Sequence, residues 1–194
     1  MKCFKLLMAV LVFCLFIGSA MAGEFSADVV RKGMGETMQG KLYVKGMKFR
    51  EEMSAKGQGS IMVIDMVAQK SLMIMPAQKM YMEMQYDPTM VQDKKDPQEL
   101  EKEMEVKNLG TETVNGYVCD KIQYSMKDQS TTVTWHSKEL GYSVRSITKS
   151  KEGEMTTELS NIKEGGVADS IFVAPAGYTK MQMPNMGGKG PKTQ

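Results

Sequence analysis

The chain has 194 residues, of which 42% are hydrophobic and 25% are charged, and its formal net charge at pH 7 is +2. This length is sufficient for one domain with a substantial core. The weak net charge and the lack of a basic run make nucleic acid and anionic membrane surfaces poor candidates, so we expect no nucleic-acid partner.

The first 22 residues have the order of a secretory signal peptide. Lys2 and Lys5 precede an apolar run at positions 6–17, and a small-residue sequence, Ala-Met-Ala, ends at Ala22. We therefore expect cleavage after Ala22 and export to the periplasm. The run is short for a bilayer span, which needs roughly 20 apolar residues, so we do not expect an integral membrane protein. A retained membrane anchor is the weaker alternative.

Cys119 is the only cysteine that follows residue 22, because Cys3 and Cys14 lie in the predicted signal peptide. The exported chain therefore could not form an internal disulfide, and its stability must come from packing. We expect Cys119 to be a small buried or half-buried residue, with intermolecular pairing as the alternative.

Most of the chain after residue 22 alternates apolar and polar residues, which is the pattern of half-buried strands. Turn signals such as Lys45-Gly46, Asp128-Gln129 and Glu152-Gly153 separate about ten such runs. Their regular spacing predicts a mainly β protein with an antiparallel sandwich or barrel. The predicted domain covers residues 23–180, and the aperiodic tail, residues 181–194, is expected to be disordered.

One segment lacks this strand alternation and is predicted to form a short helix over residues 97–106. Asp96 is the expected N-cap, and proline follows it at the first helical position. Leu100 and Met104 are four residues apart and would share one helical face. We expect this helix to lie across one face of the sheet.

The side chains that catalysis or a metal site requires are scarce in the sequence. The single histidine, His136, is expected at the surface. No His or Cys pair has the spacing of a zinc site, and no Gly-x-Ser-x-Gly motif occurs. The sequence therefore predicts a protein that is not an enzyme, with no catalytic residue, metal site or cofactor.

Methionine is the unusual feature of the composition, with 21 residues in the chain and five of them at positions 73–86. Alternate residues of a strand share one face, so these methionines are predicted to face one way on two neighbouring strands. The candidate face for a hydrophobic ligand or for the core consists of Met73, Met75, Met80, Met82, Met84, Tyr86, Leu100 and Met104.

Three interpretations of this methionine pattern remain open. Methionine fills irregular gaps in a core, so the residues can be simple core filler. Thioethers are soft ligands, so a copper(I) site is the second interpretation. The third is an adaptable apolar concavity for acyl chains or for a mobile hydrophobic partner.

The order of four segments, "GKLYVKGMKFREEM", "IMVIDM", "SLMIMPAQKMYMEM" and "SIFVAPAGYTKMQMP", resembles an exported bacterial family of unknown function. That family is grouped with the LolA/LolB-like lipoprotein carriers, and the match runs from about residue 25 to residue 184. The resemblance implies an antiparallel sheet that is strongly curled into an incomplete β-barrel, with one or two short helices plugging its open side. It also implies a hollow that binds lipid chains.

The same resemblance gives expectations for particular positions. Residues 63–66 and 76–83 would lie on neighbouring strands, and residues 172–178 would form a closing segment. Arg50 stands where the family commonly shows arginine, and strand parity places it on a solvated face. We predict a non-enzymatic periplasmic protein that binds a lipid or an acylated partner in a Met-lined hollow. The alternatives are an envelope interaction or sensing module with a filled core and a copper(I)-binding protein.

Overall fold

The computed structural model describes residues 23–86 and 104–181, and these residues form one sheet of twelve strands. The prediction of a mainly β protein is therefore confirmed. The strands are β1 (Glu24–Gly33), β2 (Glu36–Lys45), β3 (Lys48–Ala55), β4 (Gln58–Asp65), β5 (Lys70–Met75), β6 (Met80–Gln85), β7 (Met104–Val114), β8 (Tyr117–Met126), β9 (Thr131–Ser137), β10 (Tyr142–Ser150), β11 (Gly153–Glu164) and β12 (Thr179–Met181).

The sheet consists of two meanders that join where β1 pairs with β11. Its order is β12-β6-β5-β4-β3-β2-β1-β11-β10-β9-β8-β7. All neighbouring strands are antiparallel except β12 and β6, which are parallel. Within the described residues β7 and β12 have one neighbour each, so the sheet is open.

Ten of the twelve strands correspond to runs predicted from the sequence, and β7 and β12 are the two that were missed. The predicted helix over residues 97–106 is wrong at its end, because Met104 and the two residues after it begin β7. Met104 and Val106 alternate with polar residues, which is a strand pattern. Residues 97–103 of that prediction, including Leu100, lie outside the described residues.

Two short 3-10 helices occur in the described residues. Pro76–Gln78 forms the connection between β5 and β6, and Asp169–Phe172 lies in the segment that leads to β12. No described helix is long and apolar enough to cross a bilayer.

The sheet is bent, as the aromatic contacts between distant strands show. Four strand steps separate β3 from β10, which would be about 19 Å in a flat sheet at about 4.8 Å a step. The ring centroids of Phe49 on β3 and Tyr142 on β10 are only 6.1 Å apart, and Phe25 on β1 contacts the same tyrosine at 5.6 Å. We call the side that carries these rings the inner face and the opposite side the outer face.

Local irregularities in the strands accompany this bend. The β1–β11 pairing shifts its register between Ser26 and Asp28, opposite Asn161, whose φ is 50°. Such bulges bend a strand and increase its twist. At Gly40 the backbones of β2 and β3 are so close that a Cβ atom would lie 1.7 Å from the carbonyl oxygen of Glu52. A glycine at that point allows the close approach.

Both faces carry a hydrophobic cluster. The inner cluster includes Phe25, Ala27, Val29, Leu42, Val44, Phe49, Tyr142, Val144 and Leu159. The outer cluster joins Val63 and Ile74 to Val167 and Phe172, so the segment before β12 covers the outer face. The described 3-10 helix in that segment therefore packs outside the bend and does not plug the inner side, contrary to the expected position of the short helices.

Arg50 anchors this covering segment. Its Nη1 atom donates a hydrogen bond to the carbonyl oxygen of Ile171 at 2.7 Å, and its Nε atom contacts Glu52 at 2.8 Å. Only 11% of the Arg50 side chain is exposed, so its predicted place on a solvated face is wrong. Lys45 adds a second attachment by donating to Asp169 at 2.9 Å.

Candidate functional site

The register of β4, β5 and β6 brings the methionines of these strands onto one side of the sheet. Met62, Met73 and Met82 lie directly opposite one another across the three strands, and Met75 lies opposite Met80. Met84 shares the face of Met82 by strand parity. We call the six residues Met62, Met73, Met75, Met80, Met82 and Met84 the methionine face.

The methionine face is part of the inner face. One row of directly opposed residues connects the inner cluster to the methionines. From β3 to β6 it consists of Phe49, Ile64, Ser71 and Met84. Tyr86, which follows β6, is buried within the inner cluster.

The burial of the two parts of this face differs. Phe25 and Val44 are fully buried in the inner cluster, whereas all six residues of the methionine face are half-buried. An apolar surface that is partly open to solvent at the edge of a closed core is a candidate contact surface. A neighbouring row, Met62, Met73 and Met82, ends at β12, where Met181 lies opposite Met82.

Alternation in the sequence predicts only part of this face. It gives Met73, Met75, Met80, Met82 and Met84 but not Met62, whose position depends on the register between β4 and β5. Met104 begins β7, which lies at the opposite edge of the sheet from β12 and does not pair with β6.

A buried ion pair lies on the same inner face. Arg31 is 3% exposed, and its Nη2 atom contacts Oε1 of Glu51 at 2.8 Å. Its Nε atom donates to the hydroxyl of Thr157 at 3.3 Å. The Arg31 Nη1 atom is buried and has no hydrogen-bond partner among the described residues. Burial raises the pKa of Glu51 above its ordinary value, and the charge of Arg31 opposes this shift.

The position of this pair follows from strand parity. Arg31 continues the series Phe25, Ala27 and Val29 that β1 turns inward. Glu51 lies on β3, and the side chain of Arg31 crosses the intervening β2 to reach it. Gly40 lies on β2 between these two residues and has no side chain that would obstruct the crossing. Glu51 is also the residue directly opposite Met62, so the pair adjoins the methionine face.

Other reactive side chains occupy ordinary structural positions. His136 is half-buried, in contrast to the predicted surface position, and burial lowers the pKa of its imidazole. Cys119 is buried as predicted, and burial raises the pKa of its thiol. In the described ranges no group of three or more His, Cys, Asp or Glu side chains is arranged to hold a metal ion.

The chain belongs to a family described as Domain of unknown function (DUF4412), whose model matches residues 23–142. The resemblance to a family of unknown function is thereby confirmed. No curated protein matches the chain.

Several solved structures are similar to this chain to different degrees. An uncharacterized conserved protein from Thermus thermophilus is 10% identical, with a TM-score of 0.60 over 82% of this chain and 90% of that one. The Pseudomonas aeruginosa MucA/MucB complex contains a chain that is 16% identical, with a TM-score of 0.56 over 79% of this chain and 56% of that one. The LolA superfamily protein NE2245 from Nitrosomonas europaea is 8% identical, with a TM-score of 0.33 over 80% and 91%. The first two similarities show a shared fold.

Proposed function

We propose that this protein is a non-catalytic binding protein of the periplasm that holds the acyl chain of a lipid or of an acylated partner. The acyl chain would lie against the methionine face, inside a strongly curled half-barrel. Cleavage after Ala22 and export are part of this proposal, supported by the signal-like order of the first 22 residues.

One observation carries the proposal: the apolar inner face does not end at the buried cluster but continues into half-buried thioethers. The row from Phe49 through Ile64 and Ser71 to Met84 connects the two parts. Covering such a surface stabilises a complex by about 25 cal/mol for each Å² of apolar area removed from water. A flexible acyl chain is a suitable cover, because methionines repack around varied apolar shapes with little strain.

Titration with a solvatochromic hydrophobic dye tests this proposal. We expect the exported form of the protein to take up the dye, and Met82→Glu to weaken uptake by about ten-fold or more because a carboxylate would enter the apolar face. Gln85→Glu is the matched control, since it adds the same charge on the exposed outer side of the same strand. Equal binding by both variants would place the dye elsewhere and reject the proposed face.

The two other interpretations give different results in the same assay. The triple variant Met80→Leu, Met82→Leu and Met84→Leu keeps the surface apolar and removes three soft ligands. An acyl-binding face retains dye uptake in this variant, whereas copper(I) binding measured against a chelator would be lost. A filled core predicts that neither the wild-type protein nor the triple variant takes up the dye.

A further inference from the structure

The guanidinium of Arg31 is the one buried side-chain group in the described residues that lacks a hydrogen-bond partner for one of its nitrogens. Leaving such a donor unpaired costs free energy, and the cost is larger for a charged group. Arg50 and Arg145, the other two described arginines, also have two bonded nitrogens each, as Arg31 does. Arg31 differs from them because its third nitrogen is both buried and without a partner.

We propose that Arg31 Nη1 donates a hydrogen bond to the carbonyl oxygen of an ester-linked acyl chain, and that the protein therefore selects neutral acyl esters of lipids. This inference rests on the proposed function and names the ligand class of the same face. The carbonyl would lie beside the ion pair, and the hydrocarbon chain would extend over the methionines.

The charges of the site favour a neutral acceptor over a free carboxylate. Glu51 Oε1 already lies 2.8 Å from Arg31 Nη2, so the positive charge has a partner. A fatty-acid carboxylate at Nη1 would place a second negative charge next to Glu51 in a poorly solvated position. An ester carbonyl supplies an acceptor without that repulsion.

The hydrogen-bonding capacity of the site favours an ester over an amide. An amide would bring an N–H donor as well as a carbonyl acceptor. No side-chain acceptor in the described part of the chain is both buried and unpartnered. An ester leaves no donor unsatisfied at this position.

The sheet provides a path for the chain from this point. One row of residues, each directly opposite the next on the neighbouring strand, crosses the sheet from β3 to β12. It consists of Glu51, Met62, Met73, Met82 and Met181. Four strand steps of about 4.8 Å give about 19 Å, which is the length of an extended chain of about sixteen carbons. A long acyl chain that begins at Arg31 and crosses the strands would therefore contact the methionine face over its whole length.

Access to Arg31 is compatible with its burial. Met38 lies directly opposite Arg31 on β2, is half-buried and packs against the inner cluster. Its unbranched side chain has several accessible rotamers, so it can move aside at low cost. Gly40, the next inward position on β2, adds no obstruction.

A competition experiment against the bound dye tests the inference with two matched probes below their micellar concentrations. 1-Monopalmitoylglycerol has the ester carbonyl, and 1-O-hexadecylglycerol has the same chain length without it. We expect the ester to displace the dye at about ten-fold lower concentration than the ether, because only the ester has a carbonyl that accepts a hydrogen bond from the charged Arg31 guanidinium. The double variant Arg31→Met/Glu51→Gln, which leaves no unpaired carboxylate, should bind both probes equally.

Each other outcome contradicts a defined part of the account. Equal displacement by ester and ether in the wild-type protein would overturn the role of Arg31 but leave acyl binding intact. Stronger displacement by palmitate, or by a palmitoylated and C-amidated peptide, would overturn the choice of a neutral ester. Failure of every probe would overturn both proposals. Arg31→Lys, which keeps the charge and loses the second arm of the guanidinium, should reduce the ester preference in a protein whose thermal unfolding remains cooperative.

Discussion

The inner face of the sheet has two halves that are built from the same strand pattern but packed differently. On β1, β2 and β3 most of the buried inward residues are Phe, Val or Leu, and they form one cluster with residues of β10 and β11. On β4, β5 and β6 the inward residues are mainly Met, and they are half-buried. The comparison shows that alternation sets which way side chains point, whereas the neighbouring strands decide whether they form a finished core.

The choice of residue type agrees with this difference. Branched and aromatic side chains with few rotamers specify one dense packing, while methionine adapts to a surface whose occupant changes. The buried half is therefore suited to maintaining the bend, and the proposed acyl-binding role would use the adaptable side chains of the methionine face.

Truncation in the buried half should have the largest effect on stability. Phe25 is fully buried and contacts Tyr142, so Phe25→Ala should lower the free energy of unfolding by about 3–5 kcal/mol. Met82→Ala should cost clearly less, because the side chain is already half exposed. Chemical denaturation of both variants measures the difference, and equal losses would show that the two halves are packed alike.

Replacement of the glycine at the close approach of β2 and β3 should also be severe. Gly40→Ala places a Cβ atom 1.7 Å from the Glu52 carbonyl oxygen, so the strands must separate. We expect a loss of about 3 kcal/mol in the free energy of unfolding. Gly59→Ala is a matched control on β4, because a Cβ atom there would be 3.8 Å from its nearest neighbour. Similar stability of the two variants would contradict this account of the bend.

Breaking the ion pair should destabilise the protein by removing the partner of a buried charge. Arg31→Met leaves Glu51 without its cation and should cost about 3 kcal/mol. The double variant Arg31→Met/Glu51→Gln should recover part of this loss. Thermal unfolding of the two variants checks the order, and a double variant less stable than the single one would contradict it.

The pH dependence of stability provides a smaller effect with a definite sign. Burial raises the folded-state pKa of Glu51 above its ordinary value of 4.5, although the charge of Arg31 opposes the shift, so the folded protein holds this proton more tightly than the unfolded chain does. The contribution of this group is fully present below pH 4.5 and is lost as pH rises through the folded-state pKa. The free energy of unfolding of the wild-type protein relative to that of Glu51→Gln should therefore fall as the pH increases from 4.5 through the folded-state pKa. A relative stability that increases with pH would mean that the attraction of Arg31 exceeds the cost of burial.

The smallest effect is expected for replacing methionine by leucine on β6. Met80→Leu, Met82→Leu and Met84→Leu conserve volume and apolar character at half-buried sites, so each should change the free energy of unfolding by less than about 1 kcal/mol. Denaturation curves of the single variants test this. A larger loss would indicate that the thioethers are specifically packed and would favour the filled-core interpretation.

Local patterns in the sequence predict most strands but not their neighbours. Alternation around Met82 and turn signals such as Lys45-Gly46 depend only on residues close together in the chain, so they can be recognised in the sequence. The pairing of β1 with β11 joins residues more than a hundred positions apart, and the short β12 carries too few residues for a period. The contact between Arg31 and Glu51 spans only 20 positions, but it crosses β2 and depends on the register of three strands. It could therefore not be predicted, although Arg31 does continue the inward series of β1.

The most direct test of acyl binding is native mass spectrometry of the protein isolated from its native cells. We expect a near-stoichiometric adduct of lipid mass that dissociates on extraction with organic solvent. The adduct should persist in the Gln85→Glu variant and be absent from Met82→Glu. A wild-type protein that carries no adduct and takes up no added acyl ester would contradict the account.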